Sequence, residues 1–181
     1  NSVEAVITML ATASLGAVFS SCSPDFGLQG VCDRFGQIEP KILVGCDGYH
    51  YAGKAIDRMD VLAALVQKLP TVDTVLVIGY LSAQPDCSRL PNAVLFDQAV
   101  ANATAITQFR RMPFNAPLYI LYSSGTTGAP KCIVHGIGGT LVQHIKEHRL
   151  HTNVKPGDRL FYFTTCGWMM WNWLVSGLAS N

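Results

Sequence analysis

An α/β fold with layered, mainly parallel sheets is what this sequence predicts, and three observations carry the prediction. Short apolar runs closed by glycine alternate with amphipathic stretches at the spacing of βαβ units. Mean hydropathy is +0.26 and only 14% of the residues are charged, which suits elements covered on both faces. One apolar run, Leu118 to Leu121, feeds directly into a turn rich in glycine and hydroxyl side chains, as strands of such folds do where they meet a ligand.

The elements follow in order. Val3, Val6, Ile7, Leu10 and Ser14 recur at helical spacing, and Gly16 is placed to stop that helix. Ala17–Ser21 reads as a short buried strand. Leu28, Val31, Cys32 and Phe35 lie at i, i+3, i+4, i+7 and predict a second helix. Lys41–Val44 is a strand closed by Gly45. Ile56, Met59, Leu62, Val66 and Leu69 mark a third helix, ended by Pro70. Asp73–Ile78 is a β-branched strand closed by Gly79. Residues 80–117 hold Pro85, Pro91, Pro113 and Pro117 and are read as loop, with a short strand near Ala93–Phe96. Leu118–Tyr122 is a strand, Lys131–His135 extends again, and Gly138–Leu150 is a helix. Asp158–Thr164 alternates as a further strand, and Trp168–Leu178 is a closing helix.

The 181 residues fit one domain by length, and 49% apolar residues describe a packed interior rather than a disordered segment. A net charge of +1 excludes an electrostatic case for nucleic acid or an anionic membrane. Six cysteines are widely spaced and never form Cys-x-x-Cys, so neither a zinc ribbon nor a redox dithiol is expected. Ala5 to Phe19 has no basic segment before it and is interrupted by Thr8, Thr12, Ser14 and Gly16, unlike a signal-peptide core. No run reaches the ~18 apolar residues of a membrane span. A soluble, cytoplasmic protein with reduced thiols is expected. The start at Asn1 and the end just after the apolar stretch Trp171–Leu178 lead us to expect an internal fragment.

The richest chemistry lies in Ile120 to Lys131, Ile-Leu-Tyr-Ser-Ser-Gly-Thr-Thr-Gly-Ala-Pro-Lys. Glycines let backbone N–H groups approach an anion, hydroxyls of Ser123, Ser124, Thr126 and Thr127 add donors, and Lys131 adds charge. A polyphosphate is the ligand such a loop grips. It is not a Walker A loop, because its second glycine comes too early and Cys132 follows the lysine.

This segment resembles the phosphate-binding motif of the adenylate-forming (acyl-activating) enzymes. That resemblance implies that residues 1–181 form part of the large N-terminal AMP-binding domain. The family's Tyr-Gly-x-Thr-Glu-like motif, its ribose-binding Asp and its C-terminal lid are expected beyond residue 181. It also implies the chemistry: a carboxylate attacks the α-phosphate of ATP, pyrophosphate leaves, and the thiol of CoA then displaces AMP. Ser123, Ser124, Gly125, Thr126, Thr127, Gly128 and Lys131 are the implied phosphate ligands, with Thr126, Thr127 and Lys131 stabilising the departing charge and Mg²⁺ assisting. Gly125 and Gly128 serve backbone shape. No protein-held metal is expected.

Gly167-Trp-Met-Met-Trp-Asn-Trp173 is the second informative stretch. Trp171 and Trp173 are read as core. In the short-chain acyl-CoA synthetases a Gly-Trp pair at this point helps form the acyl pocket, which implies substrate roles for Trp168, Met169 and Met170. Acetyl-CoA synthetases typically read Gly-Trp-x-Thr-Gly-His here. Met170 and Asn172 stand where that Thr and His would be, which weakens the case for acetate. Together with Ala11–Ser21 and Ser23-Pro-Asp-Phe26, the segment is most similar to the acetoacetate-activating branch of the family. Acetoacetate, ATP and CoA are the implied substrates, and cytosolic lipid metabolism the implied setting. Acetyl- or propionyl-CoA synthesis, and a truncated non-catalytic binding module, stand as alternatives.

Two histidine features complete the reading. His135 is either a residue of the acyl and nucleotide pockets or the cap of a strand end. His144-Ile-Lys-Glu-His148 matches the His-x-x-Glu-His pattern of inverted zinc peptidases. With no third ligand in sight, residues 144–151 are read instead as the wet face of a helix.

Overall fold

A computed structural model describes residues 1–123 and 128–180. In chain order the elements are α1 (Val3–Ser14), β1 (Phe19–Ser20), α2 (Leu28–Phe35), β2 (Ile42–Cys46), β3 (Gly48–Tyr51), β4 (Lys54–Asp57) and α3 (Met59–Lys68). They continue with β5 (Thr74–Ile78), β6 (Ala93–Leu95), α4 (Phe96–Val100), β7 (Pro117–Ser123), β8 (Lys131–Gly136) and α5 (Ile137–Lys146). A π-helical turn (Glu147–His151), α6 (Met169–Ser176) and a 3₁₀ turn (Gly177–Ala179) close the chain. The described residues divide into two compact units, one of 1–23, 107–123 and 132–180, the other of 24–106 and 128–131.

In the first unit β7 lies between β1 and β8. It runs parallel to β1, with Phe19 opposite Tyr119 and Ser20 opposite Ile120. Strand alternation puts Tyr119 and Leu121 on one face. There they join Met9 of α1, Phe19 of β1, and Trp171 and Val175 of α6 in one buried cluster. Helix α1 starts where Ser2 accepts the N–H of Ala5 at 3.3 Å, a side-chain cap for a donor the helix cannot satisfy itself. It ends at Ser14, ahead of the predicted glycine stop.

The second unit carries a parallel sheet in the order β2-β5-β6. Val75 and Val77 of β5 are buried on one face, and Leu62, Ala63, Leu65 and Val66 of α3 are buried as well. At the end of β2 the buried carboxylate of Asp47 accepts the N–H groups of Tyr80 (2.8 Å), Leu81 (2.9 Å) and Ser82 (2.8 Å). It thereby folds the exit of β5 onto the exit of β2.

The alternating βα pattern predicted from sequence is present, and three details differ. The residues from Lys54 to Asp57 pair antiparallel with β3, so the third helix begins at Met59 rather than near Ile56. The hairpin turns through Ala52 (φ 49°) and Gly53 (φ 75°), the pair of positive angles a two-residue hairpin turn needs. With alanine in the first of those positions, the usual Asn-Gly or Asp-Gly signal is missing. Phe96–Val100 forms a short helix directly after β6, in a stretch read as loop.

The third difference is Asp158–Thr164, which is not a strand. A strand is defined by ladder bonds to a neighbour. No described residue pairs with this segment, and Phe161 and Phe163 are 82% and 91% exposed.

Candidate active site

Strand β7 ends at Ser123 and its neighbour β8 begins at Lys131, so the glycine-rich segment links two adjacent strands. Four of the predicted phosphate ligands, Ser124, Gly125, Thr126 and Thr127, lie outside the described residues. Ser123 is half-buried at the strand end and Lys131 is exposed. Gly128 has φ 146°, an angle that L side chains avoid, although a Cβ there would meet nothing within 4 Å. The constraint at Gly128 is therefore backbone shape and not space. On the way into β8, the carbonyl of Pro130 accepts a hydrogen bond from Gln37 Nε2 at 2.9 Å. Upstream, Ser20 Oγ donates to the carbonyl of Ile120 at 2.8 Å and lies 3.0 Å from the Tyr122 hydroxyl. With its only proton directed to the carbonyl, Ser20 must accept from Tyr122.

His135 lies near the end of β8, half-buried, its ring 5.1 Å from that of Tyr119. Burial lowers its pKa, so the imidazole is neutral near pH 7. Burial likewise pushes the phenol of Tyr119 up.

Trp168 is the N-cap residue of α6, with extended backbone and 61% exposure. Met169 is exposed and Met170 half-buried. One turn further on, Trp171 is 3% exposed and stacks on Phe19 with ring centroids 6.1 Å apart. Trp173 packs its ring 4.3 Å from that of His148. Trp171 is core as read from the sequence, whereas Trp173 is half-buried and Trp168 is exposed. The segment entering α6 is held by two bonds, Ser21 Oγ donating to the carbonyl of Cys166 and Cys166 Sγ donating to that of Cys22 (3.4 Å).

The histidine pair overturns an expectation. His144 and His148 are not on a wet face. His144, in the regular helix α5, is buried, and His148, in the π-helical turn that follows, is fully buried. His148 Nε2 lies 3.0 Å from the carbonyl of Trp173 and 3.0 Å from Ser176 Oγ, and His144 Nδ1 lies 2.9 Å from the same hydroxyl. Burial lowers the pKa of His144, helped by the neighbouring His148 and His135 and opposed by Glu147. The i, i+4 spacing held this signal, but Lys146, Glu147 and Arg149 around it read as solvated. Asn172 is also fully buried, and neither atom of its amide finds a partner among the described residues.

Among the described residues no group of three or more His, Cys, Asp or Glu side chains converges to hold a metal ion. Two clefts of about 600 Å³ lie elsewhere. One is lined by Asp47, Asp57, Asp60 and Arg89 and the other by Val3, Leu160, Trp171 and Leu178. Neither is lined by His135 or by Trp168–Met170.

The family model described as AMP-binding enzyme matches residues 1–180. Acetoacetyl-coenzyme A synthetase of Rhizobium meliloti is 55% identical over 99% of this chain and 28% of its own length. Malonamoyl-CoA synthetase vrtB of Penicillium aethiopicum is 46% identical over 100% of this chain and 26% of its own. The solved acetoacetyl-CoA synthetase from Streptomyces lividans superposes with a TM-score of 0.92 at 47% identity, covering 99% of this chain and 27% of that one. The chain therefore spans about a quarter of the length of the relatives it matches.

Proposed function

We propose the function from one premise: this chain belongs to the AMP-binding enzyme family. In the whole protein it would supply the phosphate-gripping segment and part of the acyl pocket of an ATP-dependent acid–thiol ligase. The acid we propose is acetoacetate. Its carboxylate attacks the α-phosphate of ATP, pyrophosphate leaves, and the CoA thiol displaces AMP to give acetoacetyl-CoA.

The observation that carries this reading is the Ser-Ser-Gly-Thr-Thr-Gly-Ala-Pro-Lys segment joining the adjacent strands β7 and β8. Charge builds on the α,β-bridging oxygen as pyrophosphate departs. Hydroxyls of Thr126 and Thr127 and the ammonium of Lys131 would meet that charge with donors fixed beforehand, where they cost no reorganisation during reaction. Ser123, Ser124 and the backbone around Gly125 and Gly128 would complete the cradle. Trp168, Met169 and Met170 would wall the acyl group, and neutral His135 would stand beside the carboxylate without ion-pairing it.

The described residues present no cage for Mg²⁺. The ion belongs in this proposal to the nucleotide, whose phosphate oxygens and water usually form most of its coordination. Cytosolic supply of acetoacetyl-CoA to lipid synthesis is part of the same proposal. No helix among the described residues is long and apolar enough to cross a membrane.

Acid-dependent ATP–pyrophosphate exchange by the full-length protein tests the reading, with acetoacetate, malonamate, acetate and propionate as rival acids. Preference for acetoacetate is expected. Preference for acetate or propionate removes the acyl assignment and leaves adenylation standing; no exchange with any acid removes both.

A further inference from the structure

We infer that His148 is a positioning residue for the acyl-pocket end of α6, acting through a buried hydrogen-bond seat shared with Ser176 and His144. The inference rests on the reading of Trp168–Met170 as acyl-pocket wall.

Four polar groups meet in the seat, and their protons can be assigned from what each is able to do. The Trp173 carbonyl only accepts. Ser176 Oγ lies 2.6 Å from it and His148 Nε2 3.0 Å, so both donate to that oxygen. Ser176 has then committed its single proton, and its oxygen accepts from His144 Nδ1 at 2.9 Å. His148 is therefore the Nε2–H tautomer. Its Nδ1 is buried with no partner among the described residues.

The seat does what the apolar core cannot. Trp171 and Val175 hold α6 against Phe19 and Leu121, but hydrophobic contact is non-directional and tolerates sliding and rotation. Hydrogen bonds to one carbonyl and one hydroxyl of α6 fix both register and rotation. His148 lies in the π-helical turn Glu147–His151. Such turns insert an extra residue into a helix and are frequent at functional sites. Trp168 stands five positions before Trp173 on the helix, roughly 7.5 Å along its axis. A rigid helix carries any shift at the seat to that end.

The test uses the full-length protein with His148→Leu, His148→Gln and Ser176→Ala. Gln is chosen because its Nε2 can replace the donor that Leu removes. For each variant, the KM of the acid, the KM of ATP and kcat are read from pyrophosphate exchange. Hydrogen exchange of the Trp168–Ser176 amides is measured alongside. His148→Leu should raise the acid KM at least ~10-fold, leave the ATP KM within about twofold, and speed exchange in α6 while leaving α3 unchanged. His148→Gln should recover most of both effects.

Wild-type acid KM and wild-type α6 exchange in His148→Leu would overturn the inference, as would Gln behaving no better than Leu. If His148→Leu does not fold, Ser176→Ala carries the same expectation and the same refutation. If the wild-type protein activates no acid, the proposed function falls by itself, and α6 exchange alone decides this inference.

Discussion

Phe19 of β1 and Trp171 of α6 stack with planes 24° apart, and both belong to the buried cluster of the first unit. Trp171 is almost wholly buried, and α6 follows directly from the candidate acyl segment. Trp171→Ala in the full-length protein should lower stability by about 3–5 kcal/mol, the usual cost of emptying a large aromatic site. Urea denaturation reads this directly. A loss below ~1 kcal/mol would mean that the stack is not part of the core.

Asp47 predicts a comparable effect in the other unit. Its carboxylate receives N–H groups from three successive residues, Tyr80, Leu81 and Ser82. Asp47→Ala strands those donors and should cost about 2–4 kcal/mol. Asp47→Asn retains one acceptor oxygen and should cost less. Equal losses from Ala and Asn would point to charge rather than hydrogen-bond count.

The buried histidines give stability a pH dependence whose sign follows from burial. The folded pKa values of His135 and His144 lie below the ordinary 6.5, so the fold favours their neutral forms. Their contribution is complete above pH 6.5 and is lost as the pH falls from there through the folded values. His148, His135 and Glu147 are the groups that face His144, the histidines lowering its pKa further and Glu147 opposing them. Melting temperature should drop between pH 7.5 and pH 5.5, and less steeply in the His135→Gln/His144→Gln double variant. An unchanged slope in that variant would assign the pH dependence to other groups.

For the loop, Thr126→Val removes a proposed donor to pyrophosphate, and Gly128→Ala forces a side chain onto φ 146°. Each should slow acid-dependent pyrophosphate exchange at least ~10-fold, about 1.4 kcal/mol of transition-state binding. Near-normal exchange in both variants would refute the phosphate assignment.

Much of this was legible in the sequence because the signals were local. The βα alternation, the strand leading into the glycine-rich loop and the burial of Trp171 all follow from periodicity and residue type. The hairpin around Ala52-Gly53 was hidden by its alanine. Asp158–Thr164 misled because alternation records a preference for two faces, whereas a strand also needs a neighbour. His144 and His148 were misread for a different reason. Lys146, Glu147 and Arg149 surround them in sequence and read as a solvated face, while the helix that covers them, α6, is remote in sequence. Their partners, Trp173 and Ser176, lie 25 and more residues away in sequence.

In the proposed reaction the carboxylate attacks the α-phosphate of ATP and not the γ-phosphate. Incubating the full-length protein with acetoacetate, CoA and ATP, and separating the nucleotide products, tests it most directly. AMP and pyrophosphate are expected, formed only when acetoacetate is present. ADP and inorganic phosphate as the products would contradict it.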